Sequence, residues 1–341
     1  MKLPLILILL LYIAGAEGQR IAHADQLTLQ KKEDTLKKLA YNIINGRTSE
    51  ACIGADSEFT RLFVKALKVK NSFYYPFDSI LNISKLTAPD SSFKIFTWQL
   101  VISDNLVRQH GAIQMRTADG SLKLFPLIDK SDNTDNMEDT VADHMGWMGA
   151  VYYNIILKKE DNKRFYTLLG YDENNLRSNK KIIEVLTFKN GEPVFGGPFF
   201  SFQGGGFHAT YKNRVVMEYK KHAGPRLTYD RDDDMIIIEH LVSETHEQYK
   251  KYTLVPDGDY EGLVWRLGRW VHIDKVFTYK LKDGEAPVPN PLSPDNGKMD
   301  TKQMEKDLDK ADKDSGEEID DQATPASKSK EKVKKKKEKN D

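Results

Sequence analysis

Between Ser92 and Leu281 the chain is a succession of short β-type runs separated by tight turns, and this pattern narrows its fold more than any other feature. Residues 93–101, FKIFTWQLV, alternate between two faces and are rich in β formers. Further candidate strands follow at 111–116, 122–128, 148–157, 164–171, 182–188, 194–202, 208–211, 214–219, 226–229, 235–240, 252–255, 263–266 and 275–281. Asp119-Gly120, Lys189-Asn190-Gly191-Glu192 and Lys212-Asn213 read as hairpin turns. Connections this short dictate antiparallel pairing, because parallel strands need longer crossovers. The expected fold is mainly β: antiparallel sheets forming a sandwich or barrel, with an irregular propeller as the alternative.

Helices are expected only ahead of this region. Leu27, Leu36, Leu39 and Ile43 recur at helical spacing, which predicts a helix over 25–42 ended by Asn45-Gly46. A second is predicted over 56–70, capped by Asp56 or Ser57, with Phe59, Leu62, Phe63, Ala66 and Leu67 as its apolar stripe. The chain therefore divides into a helical segment at 19–90 and an antiparallel β domain at 91–282.

Both ends have a different character. Lys2, an apolar run over 3–13 and Ala14-Gly15-Ala16 have the three parts of a cleavable signal peptide, assigned to 1–18. The run is shorter than the roughly 20 apolar residues of a membrane-spanning helix. Export, periplasmic or secreted, is expected. Cys52 is the only cysteine, so no internal disulfide forms and the core must hold the fold by itself. Roughly 260 ordered residues suffice for that, because a domain of this size buries about three-quarters of its surface. The last aromatic is Tyr279, and 283–341 reads as a disordered charged tail with an acid-rich stretch before a lysine-rich one at 328–339. Two readings of that lysine run compete: a solvated entropic tail, favoured because the acid-rich stretch close by competes for the lysines, and a tether to an anionic surface or envelope component. The balance of 51 basic and 51 acidic residues removes the whole-chain electrostatic argument for nucleic acid.

Several motifs in the β region occur together. They are Leu168-Leu169-Gly170-Tyr171-Asp172 with Asn174 and Asn175, then Lys181-Ile182-Ile183-Glu184-Val185-Leu186, then Pro193-Val194-Phe195-Gly196. Met217-Glu218-Tyr219, Leu227-Thr228-Tyr229-Asp230, Pro256-Asp257-Gly258-Asp259-Tyr260 and Gly268-Arg269-Trp270 continue the series, with Ala88-Pro89-Asp90 ahead of it. Over roughly residues 55–280 the chain resembles a group of uncharacterised exported proteins from Bacteroidetes-type bacteria. The resemblance implies an envelope or secreted location and brings no activity, cofactor or site residue with it.

Candidate chemistry is sparse. Asp257-Gly258-Asp259-Tyr260-Glu261-Gly262 starts like a calcium loop, but Gly268 stands where the bidentate Glu belongs. The acids of 230–234 are interrupted by Arg231. His240, His246 and Glu247 suggest zinc, yet Lys250 replaces the second His of the helical pattern. Gly204-Gly205-Gly206 lacks the following helix a phosphate cradle requires and reads as a hairpin loop. Trp98, Trp147, Trp265 and Trp270 are read as core residues, or, if exposed together, as a platform for sugars or peptides. No catalytic residue, metal ligand or cofactor is assigned. Two functions remain in view: a non-catalytic β scaffold of the bacterial envelope that binds a partner, and a glycan hydrolase with paired carboxylates. Glu184, Glu218, Glu239 and Glu261 are the carboxylates to inspect for the second.

Overall fold

The computed structural model describes residues 20–103, 105–203 and 209–276. All of them belong to one of two compact units, Met1–Thr278; the other, Tyr279–Asp341, lies outside the described residues, as do the segment 1–18 read as a signal peptide, the lysine-rich stretch at 328–339 and Gly204-Gly205-Gly206. The fold is mainly β, in antiparallel sheets, with two helices at its N-terminal side.

Helix α1 spans His23–Asn45 and α2 spans Ser49–Leu67. Leu29, Leu36, Leu39, Ala40 and Ile43 form the buried face of α1, at the spacing a helix needs to put them on one side. Gly46 turns the chain between them in extended backbone, without the left-handed conformation of many helix ends. What requires glycine is proximity: a β-carbon there would lie 2.7 Å from Cys52 Sγ and 2.9 Å from the Asn42 carbonyl. Helix α2 begins a full turn and more before the predicted cap. Thr48 is the true cap, its hydroxyl accepting from the Ala51 N–H, and Asp56 is a buried mid-helix residue. Its carboxylate accepts from Trp98 Nε1 at 2.7 Å and lies 3.0 Å from His110 Nδ1, tying α2 to the sheet beneath.

Three sheets follow. The first has the order β1 (Ser84–Thr87), β2 (Phe93–Ser103), β3 (Leu106–Met115), β4 (Lys123–Ile128). The second contains β5 (Ala142–Asp143), β6 (Val151–Glu160), β7 (Lys163–Asp172), β8 (Ser178–Lys189) and β9 (Glu192–Phe195) in the order β5-β9-β8-β7-β6. Strand β12 (Arg214–Lys220) joins β8 on the same edge as β9, further along. The third holds β10 (Phe200–Gln203), β11 (Ala209–Lys212), β13 (Leu227–Asp230), β14 (Met235–Ser243), β15 (Leu254–Arg266) and β16 (Arg269–Ile273), in the order β11-β10-β16-β15-β14-β13. Among the described strands every pairing is antiparallel except β10 with β16, and an isolated parallel bridge joins Asp129 to Trp147.

The layers are fixed by the two-residue period of the strands. Phe96, Trp98 and Leu100 of β2 share a core with the helices. Phe93 and Ile95 point the other way and share a core with Tyr166, Leu168, Ile182 and Leu186 of the second sheet. The odd-numbered Leu169, Ile183 and Val185 pack on Ile236, Ile238, Leu263 and Trp270 of the third. The result is helices, then three stacked sheets, with the middle sheet apolar on both faces. Such a sheet reads as near-continuous apolar sequence, as Ile182-Ile183 and Leu168-Leu169 do.

Four expectations are corrected. The strand at 194–202 is two strands in different sheets, because Gly196 (φ 87°) and Gly197 (φ 141°) swing the chain across. Lys212-Asn213 is likewise a corner between sheets rather than a hairpin, since β11 pairs β10 and β12 pairs β8. Leu254-Val255 of the run at 252–255 and all of 263–266 belong to the single strand β15, Tyr252 and Thr253 lying in the 3-10 turn Lys251–Thr253 ahead of it, and the supposed calcium loop lies inside β15. The strand before the chain leaves the described region is 269–273, ahead of the one predicted at 275–281, whose last residues lie outside the description.

Candidate functional site

Cross-strand partners share a face, so the register across β7, β8 and β12 defines three rows turned toward the first sheet: Leu168–Glu184–Arg214, Gly170–Ile182–Val216 and Asp172–Lys180–Glu218. The first row holds a buried ion pair. Arg214 Nε and Nη2 donate to Glu184 Oε2 at 3.1 and 2.8 Å, and neither side chain reaches solvent appreciably. Arg214 Nη1 donates to the carbonyls of Met137 and Thr140, pinning the preceding loop. Tyr152 Oη donates to the other Glu184 oxygen and accepts from Trp147 Nε1 at 2.7 Å. Burial and the Glu184 charge hold the Tyr152 phenol well above its ordinary range. Every polar atom of this cluster has a partner, so Glu184 is architectural and closed to substrate.

The third row is different, because the apolar face ends there. Asp172 is buried, and burial raises its carboxyl pKa despite donation from the Asn174 N–H and Gln109 and the positive charge of Lys180. Glu218, at the open end of the row, accepts from Ser178 Oγ at 2.5 Å and from Asn174 Nδ2 at 3.3 Å.

The inner face of the third sheet changes in the same way. Ile236 and Ile238 on β14, Leu263 on β15 and Trp270 on β16 are core. One step further along the same faces stand His240, Glu261 and His272, with Phe202 of β10 against the His272 ring at 4.8 Å between centroids. A bulge between Glu239 and Leu241 re-aims His240. The side chains form one chain of contacts: Asp257 Oδ2 to His240 Nδ1 at 2.8 Å, His240 Nε2 to Glu261 Oε1 at 3.7 Å, Glu261 Oε2 to His272 Nε2 at 2.7 Å, and His272 Nδ1 to Asp274 Oδ1 at 3.3 Å. Burial pushes the Asp257 carboxyl up, but donation from His240 and the Asp259 N–H outweighs it and holds the pKa below its ordinary value.

Lys180 and Glu218 of the one row and His240 and Glu261 of the other open on one cleft of about 650 Å³ beside the edge of β12. Its wall carries the carboxylates Asp135, Glu138, Glu218, Glu239 and Glu261 against the lysines Lys180 and Lys251, with His240, Phe202, Val216 and Leu254 between them. Glu138 is spoken for: it binds Lys212 Nζ at 2.9 Å and accepts from the Val216 N–H at 3.2 Å, capping the start of the β12 edge. Glu239 accepts from the Arg226 N–H at 2.6 Å. Of the four glutamates singled out by sequence, three therefore meet in the cleft and Glu184 lies outside it.

The remaining candidates resolve as local structure. His246 occupies a left-handed turn (φ 60°), and Glu247 beside it binds Lys250 and Tyr249. Asp230 caps its own turn through the N–H groups of Asp232 and Asp233. Among the described residues no group of three or more His, Cys, Asp or Glu is arranged to hold a metal ion. Trp98, Trp147 and Trp270 are buried, and Trp265 is partly buried against the core between the second and third sheets, so they form no exposed platform.

Sequence reading missed Asp172, Lys180, Glu138 and His272. For Asp172, Lys180 and His272 the signal was parity: in Leu168-x-Gly170-x-Asp172, Lys180-x-Ile182 and Trp270-x-His272 a titratable residue takes the next place on an apolar face, whereas Glu138 lies in a turn with no such signal. No family model, curated protein or solved structure matches the chain.

Proposed function

We propose that this chain is an exported, non-catalytic binding protein of the bacterial envelope, whose stacked β scaffold offers the cleft beside β12 to a small cationic ligand. The observation that carries this reading is the meeting of Lys180 and Glu218 of the second sheet with His240 and Glu261 of the third in one cleft whose carboxylates outnumber its lysines. Those carboxylates are held by fixed donors, which suits them to recognition: a pre-oriented acceptor loses little entropy on binding. A ligand amine would exchange its hydration for charge-assisted hydrogen bonds to Glu218 and Glu261.

One observation keeps a second reading alive. Glu218, Glu239 and Glu261 share the cleft, and a glycan hydrolase needs two carboxyl groups roughly 5–9.5 Å apart. One set of measurements separates the two. Spermidine and trilysine are expected to raise the thermal midpoint of the full chain through ligand linkage, and Glu218→Gln with Glu261→Gln to remove that shift. If neither probe moves the midpoint, the binding reading falls. If the chain instead turns over an oligosaccharide and either single Gln variant abolishes turnover, the hydrolase reading replaces it.

A further inference from the structure

Three hairpin turns of the described chain have two successive left-handed residues: Asp161-Asn162, Asn190-Gly191 and Leu267-Gly268. This is the two-residue turn that suits strand twist, and its first position favours Asn, Asp or Gly, whose side chains tolerate positive φ. Two of the turns obey. The third, joining β15 to β16, places a leucine at φ 48°, where its β-carbon crowds the next carbonyl oxygen, and leaves that leucine 90% exposed. A residue that is both strained in backbone and stranded in water is stabilising nothing in the fold, and such an outlier points to function.

Its surroundings say what it meets. Arg266 and Arg269 flank it and are exposed. Arg269 is held by the Pro198 carbonyl at 3.2 Å and lies over the half-exposed Tyr211 ring at 4.9 Å. A β-carbon on Gly268 would lie 3.8 Å from Glu160 Cγ, so the β6–β7 turn is adjacent. That turn brings Lys159, Lys163 and Arg164 against Glu160 and Asp161. An apolar tip ringed by arginine and lysine, with a tyrosine beside it, is complementary to a bilayer: hydrocarbon takes the leucine, headgroup depth suits the tyrosine, and anionic phosphates face the cations.

We propose that the Leu267 turn is a membrane-docking tip that inserts into an anionic phospholipid surface. The inference is independent of the cleft on the inner face of the third sheet. The test uses the full chain and vesicles of phosphatidylglycerol, with phosphatidylcholine as the uncharged control. Leu267→Trp places a reporter at the tip, and vesicles with brominated acyl chains are expected to quench the emission of that reporter to about half while leaving the wild-type tryptophans nearly unaffected. Leu267→Asn relieves the backbone, so its thermal midpoint is expected to hold or rise, while its vesicle affinity falls about tenfold, the order expected for losing one buried leucine. Sedimentation of the Leu267→Trp variant with no quenching of its tip reporter would mean that another part of the chain binds lipid and would overturn the proposal. So would full affinity in Leu267→Asn, or no binding to either vesicle.

Discussion

Lys94 shows how far one side chain's chemistry depends on neighbours remote in sequence. It shares the helix-facing side of β2 with Phe96 and Trp98, where its Nζ donates to the Tyr75 carbonyl at 2.9 Å and lies 5.5 Å from the centre of the Phe73 ring. Burial lowers its pKa to about 8, against the opposing pull of Asp78. Because the folded value lies below the unfolded one, the unfolded chain binds more protons between about pH 8 and 10.5, and stability from this group rises with pH across that window. Below pH 8 both states are protonated and the full cost of the buried ammonium is present. Lys94→Met is therefore expected to stabilise the protein at pH 7 by about 1–2 kcal/mol, after discounting for the solvent that reaches the group. The gain should shrink between pH 8 and 10, as urea midpoints of both proteins will show; a gain constant with pH would refute the assignment. The alternation of β2 revealed that Lys94 faces inward. It did not reveal the Tyr75 carbonyl, which comes from a short 3-10 turn with no periodic signal.

At the scale of elements, the middle sheet depends on one close approach. Gly170 on β7 lies opposite Tyr152 on β6, and a β-carbon there would lie 2.8 Å from Ala150 Cβ and 2.9 Å from the Tyr152 ring. Tyr152 is the donor to Glu184, so displacing its ring loosens the pair that anchors β12 and the loop at 137–140. Gly170→Ala is expected to cost about 1–3 kcal/mol from overpacking. The loss should be smaller when Tyr152 is shortened to Phe than the sum of the two single changes, because contacting residues do not add. Additive losses in denaturant titrations would place the strain elsewhere. The strands themselves were legible because each is a short alternating run bounded by turn residues. Where sequence reading erred, two local signals competed. Gly196-Gly197 looked like an irregularity inside one strand, yet it ends β9 and sends the chain to another sheet. Pro256-Asp257-Gly258 looked like a loop, yet β14 pairs with the chain on both sides of it and absorbed it as a bulged part of β15. Turn chemistry marks where a chain can bend; pairing decides whether it does.

For the molecule as a whole, the stacking order was not legible, and the cleft depends on that order. Glu218 and Glu261 are far apart in sequence, and they share a wall because β12, at the edge of the second sheet, lies against β15 of the third, and both sheets turn polar beyond the same core. What composition did establish is that the fold holds without covalent help, since three apolar cores stand between the helices and the outermost sheet. Among the described residues no helix is long and apolar enough to cross a membrane. Cys52 sits on the inner face of α2, buried, with Sγ 3.7 Å from the Gly46 carbonyl, where it acts as a small apolar residue. A buried thiol reacts only when the structure opens, so its alkylation follows the population of opened states. The proposed export predicts a mature protein that begins near Glu17 or Gln19 by intact mass, and the single cysteine predicts one free thiol. That thiol should resist maleimide in native buffer for hours and react fully within minutes in concentrated urea. Reductant should leave the thermal midpoint unchanged at every protein concentration. A mass retaining Met1 would exclude signal cleavage. Rapid native labelling would show that α2 detaches from the first sheet on its own, and that the helices and the three sheets do not unfold as one unit.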